Sequence, residues 1–205
     1  MSQKKKVEGD SKSFCESRVN YSAEDIMTYK HYKNLPETML RTEILDGVLV
    51  QEPAPLIKHQ RVLTHLHINL FNYFTQYDPD GVVSVAPVDI KLSETVVLQP
   101  DLAFVSGHKQ HMITENCIAG PPDIVIEIIS PTSVRRDRID KFNLYQRYSI
   151  QHYWLVDVVE ELVEVYSLNS EGLYIRTGAA ATGDLSIPGF ADLTVKLDTM
   201  WEKCS

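Results

Sequence analysis

Cysteine is scarce: Cys15, Cys117 and Cys204 are the only three in 205 residues. They are far apart, odd in number and without Cys-x-x-Cys spacing. That excludes a disulfide framework or a zinc ribbon and fits a reducing cytosol. No apolar run approaches the ~18 residues that a membrane span needs. The basic N-terminus lacks the apolar stretch of a signal peptide, so the expectation is a cytoplasmic protein with no membrane partner. Positive charge is short as well: 20 Lys and Arg face 28 Asp and Glu, a formal net charge of −8. That balance argues against broad, nonspecific affinity for nucleic acid, while leaving room for a local basic groove.

What is present is globular. Hydrophobic content of 43% with 23% charged residues is ordinary, and the length suits one domain with a full core. Residues 1–20 are polar and Lys/Ser-rich, which predicts a disordered tail, with a single domain over 21–200. Ser22 to Tyr32 has the pattern of a short helix capped at Ser22. Glu43 to Glu52 predicts a hairpin turning at Asp46-Gly47. Ile57 to Gln76 predicts a long amphipathic helix with Val62, Leu63, Leu66, Leu70, Tyr73 and Phe74 on one face. His59 lies near that face, either as a packed histidine or at a site by the helix start. Val82 to Leu92 and Val96 to Val105 read as strands, the second interrupted by Asp101, and a short helix is expected around Met112 to Glu115.

The chain is organised around Pro122 to Tyr148. Ile124 to Ile129 is a β-branched run broken by one charge, Glu127, and reads as a central strand buried on both faces. A carboxylate there requires a metal ion, a basic side chain or a proton, because an unpaired buried charge costs several kcal/mol. Ser130-Pro131 or Ser133 opens a helix in which Ile139, Phe142, Tyr145 and Tyr148 face the core. Arg135, Arg136 and Arg138 near its start oppose the helix dipole. They suit either an anionic partner or local pairs with Asp137 and Asp140. His152 to Asp157, Leu162 to Leu168, Leu173 to Thr177 and Leu193 to Val195 read as further strands, and Ala179 to Gly189 as loop. Helices interleaved with strands predict an α/β layered domain.

Three predicted strands each carry one acid in apolar surroundings: Glu43, Asp101 and Glu127. If they converge, like charges a few ångströms apart need a counter-ion, and an all-oxygen cluster suits a hard cation, Mg²⁺ or Mn²⁺. The other reading leaves them separately solvated at strand ends. Lys141 either pairs on the surface with Asp137, four residues earlier, or reaches back to place an ammonium near the acids. In the second case it orients a water, helps deprotonate it, or balances charge in the transition state.

Pro100-Asp101 on one strand, Glu127 on the next and a following lysine resemble the core of the PD-(D/E)XK, restriction-endonuclease-like nucleases. The blocks Glu43-Ile-Leu-Asp-Gly-Val-Leu-Val50, His59-Gln-Arg61, Pro87-Val-Asp-Ile-Lys-Leu92, Gln99-Pro-Asp-Leu102, Glu127-Ile-Ile-Ser-Pro131, Asp140-Lys141 through Tyr145, and Tyr153-Trp-Leu-Val-Asp157 are similar, in order and spacing, to the Uma-type branch. One departure stands out: the superfamily's lysine lies two residues after the second acid, where this chain has Ile129, so Lys141 must take over its role. The resemblance implies a restriction-endonuclease-like α/β fold, a central mixed β-sheet flanked by helices. It implies Mg²⁺- or Mn²⁺-dependent hydrolysis of DNA phosphodiesters, with Glu43, Asp101, Glu127 and Lys141 catalytic. Asp101 and Glu127 would hold the ion, helped by the Ile128 carbonyl, and Glu43 a second ion or a water. Arg135, Arg136 and Arg138 would contact phosphates. Double-strand cutters commonly pair about a two-fold, so a homodimer is expected, with Trp154, Tyr166 and Tyr174 leaving apolar surface near the last hairpin. The rival readings are a catalytically inert nuclease-fold module acting in DNA binding or regulation, and an enzyme on another phosphate ester such as RNA.

Overall fold

A computed structural model describes residues 26–36 and 38–202. The expected tail, the Ser22 cap, Cys15 and Cys204 lie outside these residues. The first described helix is one turn, α1 (Tyr29–Tyr32), capped by Thr28, whose hydroxyl accepts from the His31 N–H. Next comes the hairpin, β1 (Arg41–Leu45) and β2 (Val48–Glu52), paired antiparallel. Asp46 and Gly47 both have positive φ, 48° and 82°, as a two-residue turn with matching twist requires.

The long helix α2 (Ile57–Tyr77) buries Val62, Leu63, Leu66, Leu70 and Phe74, as the 3.6-residue periodicity predicts. The two strands expected after it are each split. Val82 to Leu92 becomes β3 (Val82–Val85) and β4 (Ile90–Ser93), separated by a segment containing the cis Ala86–Pro87 peptide. Val96 to Val105 becomes β5 (Val96–Leu98) and β6 (Leu102–Val105), which belong to different sheets. Pro100 lacks the N–H a continuous ladder needs, and the break at Gln99-Pro100-Asp101 lets the chain change sheets. A 3₁₀ turn (Gly107–Met112) stands slightly ahead of the helix expected around Met112.

The central strand β7 (Ile124–Ile129) is wholly buried. Its successor runs through a π-helical stretch (Arg136–Lys141) into α3 (Phe142–Arg147) and on to β8 (His152–Asp157), which is parallel to β7. The wide π turn advances each residue by a smaller angle than an α turn. Ile139, expected in the core, is 51% exposed in consequence, while Asp137 and Lys141 point inward. The last described elements are β9 (Leu162–Leu168), β10 (Tyr174–Ala180), β11 (Asp184–Ser186), β12 (Thr194–Lys196) and a short α4 (Leu197–Trp201). The segment expected as loop from Ala179 thus contains the end of β10 and all of β11, and α4 carries no sequence signal beyond one apolar turn.

The strands form a mixed six-stranded sheet, β10-β9-β8-β7-β6-β3, a four-stranded sheet, β2-β1-β5-β4, and the pair β11-β12. Alternation along β7 decides the layers. Ile124, Ile126 and Ile128 pack with α2, Trp154 and Trp201 on one face. Val125 and Ile129 pack on the other with Leu144 and Tyr145 of α3 and with Leu45, Ile90 and Leu98 of the smaller sheet. The architecture is therefore mixed α/β, a mixed sheet flanked by helices. Glu127 shares the second face, and that is where the chemistry collects. No described helix is long and apolar enough to cross a membrane. Trp154, expected near the surface, is fully buried, and the exposed apolar side chains by the last hairpin are Leu173 and Ile175.

Candidate functional site

The register of the central sheet brings the two acids together. Leu102 pairs with Ile126 in the antiparallel β6–β7 ladder, so one residue further on Asp101 lies opposite Glu127, with side chains on the same face. Asp101 Oδ2 accepts from the Ile128 N–H at 2.7 Å and lies 3.2 Å from His59 Nε2. Glu43 arrives from the smaller sheet through β1, and its Oε1 accepts from the Gln99 N–H at 2.7 Å. Convergence, rather than separate solvation, is the arrangement the fold adopts.

Two cations tie the acids together. Lys141, fully buried, places Nζ 2.9 Å from Glu43 Oε1 and 2.9 Å from Glu127 Oε1. Asp137 Oδ1 is 4.0 Å from the same amine, so the expected i,i+4 neighbour is present as well, but in the interior. Tyr145 donates its hydroxyl to Glu127 Oε1 at 2.6 Å. On the other side Arg41 donates to Asp101 Oδ1 at 2.8 Å and to Glu127 Oε2 at 3.1 Å. It also bonds the Gln99 carbonyl and lies 3.8 Å from Glu43 and 3.5 Å from Glu52.

The electrostatics follow from burial and these partners. For Asp101 burial favours the neutral acid, but Arg41, His59 and the Ile128 N–H outweigh it and hold the carboxyl down at about 2. For Glu43 burial is likewise overcome, by Lys141, Arg41 and the Gln99 N–H, and the carboxyl stays below the usual range. Glu127 goes the other way: burial dominates, Lys141 and Arg41 offset it only in part, Asp137 and Asp101 add to it, and the group is pushed up to about 8. Burial likewise raises Asp137 to about 6. Lys141 resists burial because Glu127 and Glu43 keep its ammonium protonated. Near neutrality Glu43 and Asp101 are anionic beside the cationic Arg41 and Lys141, and Glu127 is the acid of the cluster that burial makes readiest to hold a proton. An ammonium held in this way orients its partners and balances charge.

The cluster forms the floor of a groove of about 840 Å³. Asp101, Glu127, Asp137, Arg41 and His59 line it, together with Glu52. Glu43 and Lys141 lie beneath, fully buried. Of the residues expected to act, two therefore face the groove and two support them from behind. Among the described residues, no three His, Cys, Asp or Glu side chains stand ready to hold one ion. Glu43 Oε1 is engaged by Lys141 and the Gln99 N–H, and its Oε2 is buried without a partner. The remaining donor chemistry still fits a hard cation. Asp101 Oδ1 and Glu127 Oε2 converge on one cationic group, and Mg²⁺ is commonly held by one or two carboxylates, with water and substrate oxygens completing the shell.

The arginines expected on phosphate are mostly occupied. Arg136 pairs with Glu52 at 2.5 Å, and Arg138 with Glu164 at 2.5 Å and Asp157 at 3.4 Å. Arg135 is exposed and has no ion-pair partner among the described residues. Sequence reasoning missed Arg41 and gave Tyr145 only a packing role. The strand period held the first clue, since residues 41 and 43 must share a face. Tyr145 lies four residues after Lys141, one turn along the same inward stripe.

The comparisons with known proteins agree with this architecture. A family model described as "Uma2: Putative restriction endonuclease" matches residues 29–198. The fold is similar to the crystal structure of a protein from Anabaena variabilis described as a putative nuclease belonging to DUF820. The TM-score is 0.69 at 20% identity, covering 85% of this chain and 97% of that one. Among curated proteins, none matches this sequence.

Proposed function

Because this chain belongs to the Uma2 family, whose description is "Putative restriction endonuclease", we propose that it is a divalent-metal-dependent endonuclease hydrolysing DNA phosphodiester bonds. One observation carries this reading. Asp101 and Glu127, from adjacent strands, turn carboxylate oxygens to a single cationic position on the floor of an open groove. A fold selected for stability alone gains little from so many buried charges, since well-packed apolar side chains serve at least as well.

In this reading Asp101 and Glu127 hold Mg²⁺ or Mn²⁺. Such an ion supplies Lewis acidity and offsets phosphate charge when bound. The residues around it do the positioning. The Ile128 N–H and His59 fix the Asp101 carboxylate, and Lys141 and Tyr145 fix Glu127 from behind. Glu43 anchors the Lys141 ammonium, which keeps positive potential beneath the reacting phosphate. Water attacks phosphorus and gives up a proton to solvent, the P–O3′ bond breaks, and the departing oxygen takes a proton from solvent to leave as a 3′-hydroxyl. Arg135 is the remaining candidate of its group for a backbone phosphate. Two copies pairing to cut both strands would use the exposed Leu173 and Ile175, an assembly that sedimentation tests.

The engagement of Arg136 and Arg138 with protein acids, in a chain of net charge −8, favours a second reading, the inert module. Plasmid incubated with the protein in Mg²⁺, Mn²⁺ or EDTA separates the two. Nicking that needs the ion and is lost in Asp101→Asn and Glu127→Gln supports the nuclease. Intact plasmid and intact RNA under every condition support the inert module.

A further inference from the structure

Arg41 is the side chain that the metal reading leaves without a role, and its surroundings are unusual. Its guanidinium reaches Asp101, Glu127, Glu43 and Glu52, and it occupies the space between the two groove-facing acids. Four acids line the groove, Glu52, Asp101, Glu127 and Asp137, and Arg41 is the one arginine or lysine among the described lining residues.

A guanidinium remains charged at any working pH, so Arg41 cannot vacate that space by losing a proton. A divalent ion and a guanidinium cannot both sit within bonding distance of the same carboxylate oxygens, because their mutual repulsion is not screened in a buried site. The ion brings twice the charge at about 2.0–2.1 Å from oxygen, against 2.8 Å and 3.1 Å for Arg41. No hydrogen bond ties Arg41 on its stem side, where its Nε is buried without a partner. The side chain is 17% exposed, on the groove side. Glu52, its cross-strand neighbour on β2, also lines the groove; one of its oxygens is held by Arg136, and the other, 3.5 Å from Arg41, gives the guanidinium a second station.

We propose that Arg41 is an exchangeable counter-cation: its guanidinium occupies the position between Asp101 and Glu127 and moves out into the groove when a divalent ion takes that position. The inference rests on the reading of these acids as the metal site. Arg41 then competes with the ion and weakens its binding. Displaced, it carries a positive charge toward the mouth of the groove, where an anionic substrate enters.

The test is Mn²⁺ binding by calorimetry to the wild type, Arg41→Gln and Asp101→Asn. At least tenfold tighter binding to Arg41→Gln is expected. Binding by the wild type that Asp101→Asn abolishes but Arg41→Gln leaves equal or weakens overturns the displacement and spares the metal site. Binding by none of the three overturns both. If Arg41→Gln does not fold, the wild type decides: phenylglyoxal modification of Arg41, read by peptide mass, is expected to be faster in Mg²⁺ than in EDTA. A rate that Mg²⁺ leaves unchanged or slows overturns the proposal.

Discussion

Replacing Lys141 by methionine removes a fully buried ammonium while keeping much of its length and packing. Glu43 and Glu127, each 2.9 Å from that amine, are left facing each other in dry surroundings. Breaking a buried pair by deleting one partner costs about 3–5 kcal/mol. For a domain of this size that corresponds to a melting temperature lower by about 6–20 °C. The loss should depend on pH in a particular direction. In the wild type Glu127, pushed up to about 8 from an ordinary 4.5, already binds one more proton folded than unfolded between those values. Its contribution is therefore largest at low pH and is lost as pH rises through about 8. Without Lys141, Glu43 joins it, since the strongest attraction holding Glu43 ionised is gone. Each such proton adds about 1.4 kcal/mol per pH unit to stability as pH falls. Thermal melts in EDTA at pH 5.5 and pH 8.0 check this: the deficit of Lys141→Met should be greatest at pH 8.0 and shrink toward pH 5.5. A variant melting within about 3 °C of the wild type at pH 8.0, or losing further ground on acidification, refutes the reasoning.

Tyr145→Phe deletes the 2.6 Å bond to Glu127 and should cost about 1–3 kcal/mol; an unchanged urea midpoint contradicts that role. Gly47→Ala places a Cβ 2.5 Å from Ile26 Cγ2 at a φ of +82° and should cost about 1–2 kcal/mol, whereas Asp46→Asn, at a position tolerant of the left-handed region, should melt close to the wild type. His152, bonded to Ser167 and held down to about 4 by burial, is neutral in the fold. Because the unfolded chain protonates nearer 6.5, stability present above 6.5 is lost as pH falls toward 4, by about 1–3 kcal/mol. His152→Gln should flatten that slope in melts across the interval, and an unaltered slope rules the assignment out.

Much of the scaffold was legible because single elements carried their own signals. The Asp46-Gly47 turn, the apolar stripe of α2 and the β-branched run of β7 each specify one local structure. The sheets were not legible in the same way. Val96 to Val105 reads as one apolar strand, and only the missing N–H of Pro100 hints that its halves pair with different partners. The site shows the same division. Acids stranded in apolar runs at positions 43, 101 and 127 announce that something pairs with them. Lys141 was visible as a candidate, but whether it faced solvent or acids depended on the π turn, which no periodicity reveals. Arg41 escaped notice because its partners Glu52, Asp101 and Glu127 come from β2, the residue before β6, and β7, and meet only in three dimensions. Arg136 and Arg138 show how context redistributes charge: a basic cluster in sequence becomes separate ion pairs once β2, β8 and β9 lie beside it.

The central claim is that Asp101 and Glu127 share one hard cation. A crystal soaked in Mn²⁺ and measured near the manganese edge tests it most directly. The account predicts an anomalous peak between the two carboxylates, within about 2.0–2.3 Å of an oxygen of each, with the Arg41 guanidinium moved out into the groove. A map with no peak there, and Arg41 still bridging the two acids, contradicts it.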